Sequence, residues 1–172
     1  MANLDDARRV TAIVSDAGGQ IVGRTRLQKI AFFLEQAGFG AGFQFRYKHY
    51  GPYSEQLAQA TQLASIMRFI TEKEGSATWG GSYSIFSTST PPDGSPMSTR
   101  RRSFLDEMVK ADAVELELAA TAAFLAIEGI PDPWGETARR KPEKAEGGRL
   151  LKAKQLYSRL RQISTLKDLP NI

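Results

Sequence analysis

Between Ala113 and Glu128 the chain carries apolar residues nearly all the way round a helix: Val114, Leu116, Leu118, Ala119, Ala122, Phe124 and Leu125 share no single face. A helix of that kind needs neighbours on several sides, so the segments before and after it are expected to share one core with it. Asp112 with Glu115 three residues on reads as a capping box at its start. Gly129, Pro131 and Pro133 stop it. With 172 residues, the chain is expected to form one domain with room for a second, smaller subdomain.

The segments ahead of this helix set the fold class. Asp5 to Ala17 places Ala7, Val10, Ile13, Val14 and Ala17 at helical spacing and ends at Gly18-Gly19. Thr25 to Ala37 repeats the pattern with Leu27, Ile30, Ala31 and Leu34, and Thr25 with Gln28 reads as its capping box. Phe43, Phe45 and Tyr47 alternate in a short extended piece, and Ser54 is an N-cap for a third helix reaching about Arg68. Phe69 to Lys73 and Ser82 to Ser87, separated by Gly75, Gly80 and Gly81, read as a hairpin. Three helices and then a hairpin is the order of a winged helix. The expected architecture is therefore α+β, mainly α: a winged-helix-like unit over residues 1–90, a mobile Pro/Ser/Gly linker over 91–99, and a C-terminal helical subdomain over 100–172 that shares the core. Its helices are expected at Thr99 to Ala111, Ala113 to Glu128 and about Gly148 to Gln162.

Composition removes whole classes of chemistry. There is no cysteine and one histidine, which excludes disulfides, thiolate metal sites and a cysteine nucleophile and argues against a histidine cluster. No cofactor or metal is expected. Gly38-Phe39-Gly40 and Gly80-Gly81 lack the lysine of a phosphate loop, and Glu115 and Glu117 point to different helical faces, so no catalytic residue is assigned. No apolar run approaches the ~20 residues of a membrane span, and the first residues lack the form of a signal peptide. The expectation is a cytoplasmic, non-enzymatic protein with no membrane partner.

The densest chemistry lies from Gly23 to Ser54. Arg24, Arg26 and Lys29 sit in the first turn of a helix, where positive charge is unfavourable, so they are expected to serve something outside it. Arg46, Lys48, His49, Tyr50 and Tyr53 follow around a Gly51-Pro52 step. His49 has two readings: a contact to phosphate or carboxylate, or a ring bonded to the backbone of the turn. The tyrosines either stack on bases or close the core with wet hydroxyls. If the extended piece returns along the second helix, both cation groups meet in one positive pocket rimmed by Tyr50 and Tyr53. On the third helix Gln56 and Gln59 could read adenine edges, yet no cation appears there until Arg68. Arg100 to Arg102 is either a basic tether or the solvated start of a helix, and Trp79 and Trp134 lie in loops of the kind that form interface hot spots.

The two segments GRTRLQKIAFFLEQAG and FRYKHYGPYSEQLAQA resemble the YwgA-like proteins of bacteria, archaea and phages, relatives of the Panacea-domain (SocA-like) antitoxins. The resemblance is densest from Gly23 to about Ile70. It implies no chemistry, since the Panacea relatives act by binding: they neutralise a toxin or deliver it to a protease. The implied function is a prokaryotic or phage-related regulatory adaptor whose partner is a protein, a toxin or defence component. The contacts would come from Arg24, Arg26, Gln28, Lys29 and Tyr53. The alternative is a winged-helix DNA-binding regulator, and a homodimer is compatible with either.

Overall fold

The computed structural model describes residues 1–172. It is mainly helical α+β, 55% helix and 12% strand. The N-terminal half runs α1 (Leu4–Asp16), β1 (Gln20–Val22), α2 (Arg24–Gln36), β2 (Arg46–Lys48), β3 (Gly51–Tyr53), α3 (Glu55–Ile66), β4 (Thr71–Ser76) and β5 (Ser82–Ser87). The C-terminal half is α4 (Pro96–Lys110), α5 (Ala113–Ile127), α6 (Pro133–Arg140), α7 (Pro142–Ala145) and α8 (Arg149–Gln162). None of these helices is long and apolar enough to cross a membrane.

β1, β5 and β4 form an antiparallel sheet in that order, with Ile21 opposite Phe86 and Glu72 opposite Phe86 on the other side. Helix, strand, two helices and a two-stranded wing is winged-helix topology. β1 was not expected: it is three residues long with one inward side chain, Ile21, too short to show alternation. Between α2 and α3 the fold inserts a second hairpin, β2–β3, in which Arg46 faces Tyr53 and Lys48 faces Gly51. The extended piece therefore starts at Arg46 and not at Phe43. Phe43 is buried in the core, and Phe45 meets Phe32 edge-on at 5.6 Å.

Three local expectations need correction. Gly23, not Thr25, caps α2, and having no side chain it makes no cap bond; the Gln28 amide, expected to complete a box with Thr25, is engaged by the Ser54 backbone. Residues 96–99, expected as linker, form the first turn of α4: Ser95 is its N-cap and Pro96 takes the first helical position. Trp134 is not in a loop; it opens α6, is buried, and packs edge-on against Tyr157 at 5.9 Å.

One cluster of 35 buried residues runs through both halves, from Ala7 and Val10 of α1 to Leu156 and Leu160 of α8. α5 is its axis and touches α2, β3, α6 and α8. Ala119, Ala120, Ala122 and Ala123 are fully buried, and their small side chains let neighbouring backbones approach closely. The two halves are also joined by polar bonds. Asp16 of α1 is buried, accepts a 2.6 Å bond from the Ser98 hydroxyl and pairs with Arg101. Arg101 is thus structural, while Arg100 and Arg102 face solvent.

Leu118→Ala is expected to lower unfolding free energy by about 3 kcal/mol. Because the core is continuous, circular dichroism and Trp134 fluorescence should report the same urea midpoint in that variant. Separate midpoints for the two halves would contradict a shared core.

Candidate functional site: a groove walled by a clamped hairpin

The dense segment Gly23 to Ser54 becomes two things at once, a clamp and a groove. Leu27 turns inward to the core. Gln28, next to it, is buried against the end of β3: its Nε2 donates to the Ser54 carbonyl at 3.0 Å, and the Ser54 N–H donates to its Oε1 at 2.8 Å. One side-chain amide thus satisfies the donor and acceptor of one backbone residue, as a neighbouring strand would. Lys29 is 1% exposed, and its Nζ donates to the Pro52 carbonyl at 2.7 Å.

The other side of the hairpin is held from the C-terminal half. Lys141 Nζ donates to the His49 carbonyl at 2.7 Å and to Glu117 at 2.8 Å, and Lys144 bonds both Glu117 oxygens. Gly51 lies against α5 with φ +84°, and a Cβ there would stand 2.5 Å from Thr121 Oγ1. Only glycine meets both demands. Burial pulls the Lys29 amine from 10.5 down to about 7; Glu117 opposes that fall, and Lys141 and Lys144 add to it.

Above the clamp lies a cavity of about 530 Å³ between the first turn of α2, the hairpin tip, α3 and the wing sheet. Leu27, Ala58 and Phe86 supply apolar lining, and Tyr50, Tyr53 and Gln62 supply polar groups. Arg24 bonds Glu72 from across the cavity at 2.7 Å, and Ser84 bonds the same oxygen at 2.7 Å. Partial burial would raise the Glu72 pKa, but the Ser84 and Arg24 bonds outweigh it and hold the carboxyl below its ordinary range.

The cations and rings of the sequence pattern divide sharply. Arg24, Gln28, Lys29, Tyr50 and Tyr53 line the cavity. Arg26 turns away and caps α4, donating to the carbonyls of Met108, Val109 and Ala111. Lys48 pairs with Glu55 at 2.9 Å and lies over the Tyr53 ring. Arg46 and His49 are exposed outside the cavity, and His49 holds the turn through its carbonyl, not its ring. Gln56 bonds buried Asp6 of α1 at 3.1 Å, whereas Gln59 stays exposed on α3. The single pocket expected for both cation groups is therefore built by Arg24 and Lys29 with the two tyrosines, without Arg46, Lys48 or His49.

Sequence reasoning missed Glu117, Lys141 and Lys144 as partners of the hairpin, and Thr61, Gln62, Glu72 and Phe86 as cavity lining. Glu117 carried a usable signal: a carboxylate inside an apolar helix must be paired if it is buried. No group of three or more His, Cys, Asp or Glu is placed to hold a metal ion.

Gln28→Ala should cost about 3 kcal/mol, because two buried backbone groups lose their partner. Lys29 gives a pH signature. Its folded pKa is depressed, so the unfolded chain binds more protons between pH 7 and 10.5 and stability rises with pH across that window. The slope approaches about 1.4 kcal/mol per pH unit. Lys29→Met should flatten it in urea melts taken from about pH 7 to 9, below the range where Tyr157, its pKa raised by burial, begins to oppose it. An unchanged slope would place the proton elsewhere. No family model, curated protein or solved structure matches the chain, so the site stands on its own geometry.

Proposed function

We propose that this chain is a non-enzymatic regulatory binding protein, antitoxin-like or defence-associated, that seats a segment of a partner protein in the groove between α2, the β2–β3 hairpin, α3 and the wing. The observation that carries this reading is the composition of the groove. Its apolar floor and its tyrosine and glutamine rim suit a polypeptide segment, which offers both apolar side chains and backbone groups. Arg24 is the accessible full cation of the lining, paired only with Glu72, so a segment bearing a carboxylate that shares or takes over that guanidinium fits best. The resemblance of the two motifs to YwgA-like and Panacea-domain proteins supports the same class, binding without chemistry.

Winged-helix topology favours a second reading, a DNA-binding regulator that uses α3. Against it, the exposed residues of α3 include Glu55, Gln59 and Gln62, and the wing loop between Ser76 and Ser82 exposes Trp79 but no cation. A helix that docks in a major groove is normally surrounded by phosphate-neutralising residues.

Panning a random peptide library on the folded protein, with counter-selection on Ala58→Trp to fill the groove, tests the first reading. Selected peptides should carry Asp or Glu and should bind Tyr53→Ala at least about tenfold more weakly, the loss of one good contact. Peptides that bind Ala58→Trp as well as the parent would contradict the groove as the site. Sequence-selective DNA binding that relaxes with Gln59→Ala would favour the second reading.

A further inference from the structure

We infer that α8 is a nucleic-acid-contacting helix, whose solvent face seats in the major groove of a duplex with one row of cations against each phosphate strand. α8 carries Arg149, Lys152, Lys154, Arg159 and Arg161 and no acid. Its inward side is fixed by the burial of Ala153, Leu156, Tyr157 and Leu160. At about 100° per residue, the crest opposite is formed by Leu151, Gln155, Ser158 and Gln162, all exposed.

The cations lie along the edges of that crest. Lys152 and Arg159 form one row, and Lys154 and Arg161 form the other. Members of a row are seven residues apart, about 10 Å along the axis. Contacts place the rows on opposite sides: Arg159 reaches Glu107 of α4 at 3.3 Å, whereas Lys154 lies over the Trp134 ring of α6 and Arg161 meets Asn171 at 2.8 Å. Arg100 of α4, 3.5 Å from the Ser164 hydroxyl, extends the first row beyond the end of the helix. Glu107 is the single acid that bonds a cation of α8.

This layout matches the chemistry of a duplex. A major groove about 12 Å wide admits a helix about 10–12 Å across and is bordered on both sides by phosphates. Cations at both edges meet both strands, and the crest glutamines Gln155 and Gln162 are of the type that pairs with adenine edges. An acidic protein surface has no need of two parallel rows of cations on opposite edges of one helix. The inference does not depend on the partner-protein groove, which lies on α2, α3 and the wing.

The test is fluorescence anisotropy of the full chain with a labelled mixed-sequence DNA duplex of about 20 base pairs, across about 50 to 200 mM salt. The logarithm of the binding constant should fall against log salt with a slope of about −3.6, about −0.9 for each of four neutralised phosphates. Lys152→Ala with Lys154→Ala removes one cation from each row, neither bonded to an acid, and should make the slope shallower by about 2. Arg161→Gln alone should reduce it by about 1. Circular dichroism and melting temperature should match the parent in both variants. No binding at about 50 mM salt, an unchanged slope in both variants, a loss produced by Gln59→Ala in their place, or polyglutamate bound as tightly as the duplex would each overturn the inference.

Discussion

The reciprocal bond between the Gln28 amide and the backbone of Ser54 is the constraint on which the rest of this molecule depends. β2 and β3 are three residues each, and a lone two-stranded hairpin is marginal in water. Gln28 gives the end of β3 the neighbour it lacks, and Lys29 holds the carbonyl two residues earlier. Together they fix where α3 begins, since Ser54 is also its N-cap, with Leu57 N–H bonding the hydroxyl at 3.2 Å. Hairpin, helix start and groove wall are therefore one unit. The residues that look most like a binding signature spend much of their chemistry on architecture, and the groove is what that architecture leaves open.

Electrostatics reinforces this. Three amines, those of Lys29, Lys141 and Lys144, approach one carboxylate, that of Glu117. Burying charge without full pairing is costly, and a lysine can escape by giving up its proton. Lys29 is the most deeply buried of the three and has a depressed pKa, while its bond to Pro52 survives deprotonation because a neutral amine still donates. Above this layer each hairpin tyrosine carries a cation: Arg140 over Tyr47, Lys144 over Tyr50 and Lys48 over Tyr53, all within 4.8 Å of the ring. Such stacks are worth roughly 0.5–1 kcal/mol each at exposed sites. Two of them fix Tyr50 and Tyr53, the rings that border the groove.

Much of this was legible in the residues. Helical spacing located α1, α2, α3, α5 and α8 to within a few positions, and the all-round apolar character of α5 required the shared core. What stayed hidden was set by long-range contacts. β1 exists because β5 needs a second neighbour, and three residues cannot announce that. Gln28 read as a local cap because capping boxes are recognised by spacing, and nothing in the spacing says that Ser54, 26 residues on, competes for the amide. Ser95-Pro96 was a readable helix start hidden by a Pro/Ser-rich context. Arg26 and Arg101 looked like surface cations, yet one caps α4 and the other pairs with buried Asp16, because burial of an arginine is decided by carbonyls and carboxylates from other elements.

Hydrogen exchange at the Ser54 amide tests the clamp most directly. Its partner is a single side chain, so its protection reports the Gln28 bond with little contribution from a ladder. The account predicts that Ser54 exchanges as slowly as core amides of α5 such as Leu118. In Gln28→Ala, Ser54 should lose that protection first, while Leu118 slows or speeds only with global stability. Fast exchange at Ser54 in the parent protein, comparable with exposed Ser82, would contradict the clamp and, with it, the account of how the groove is built.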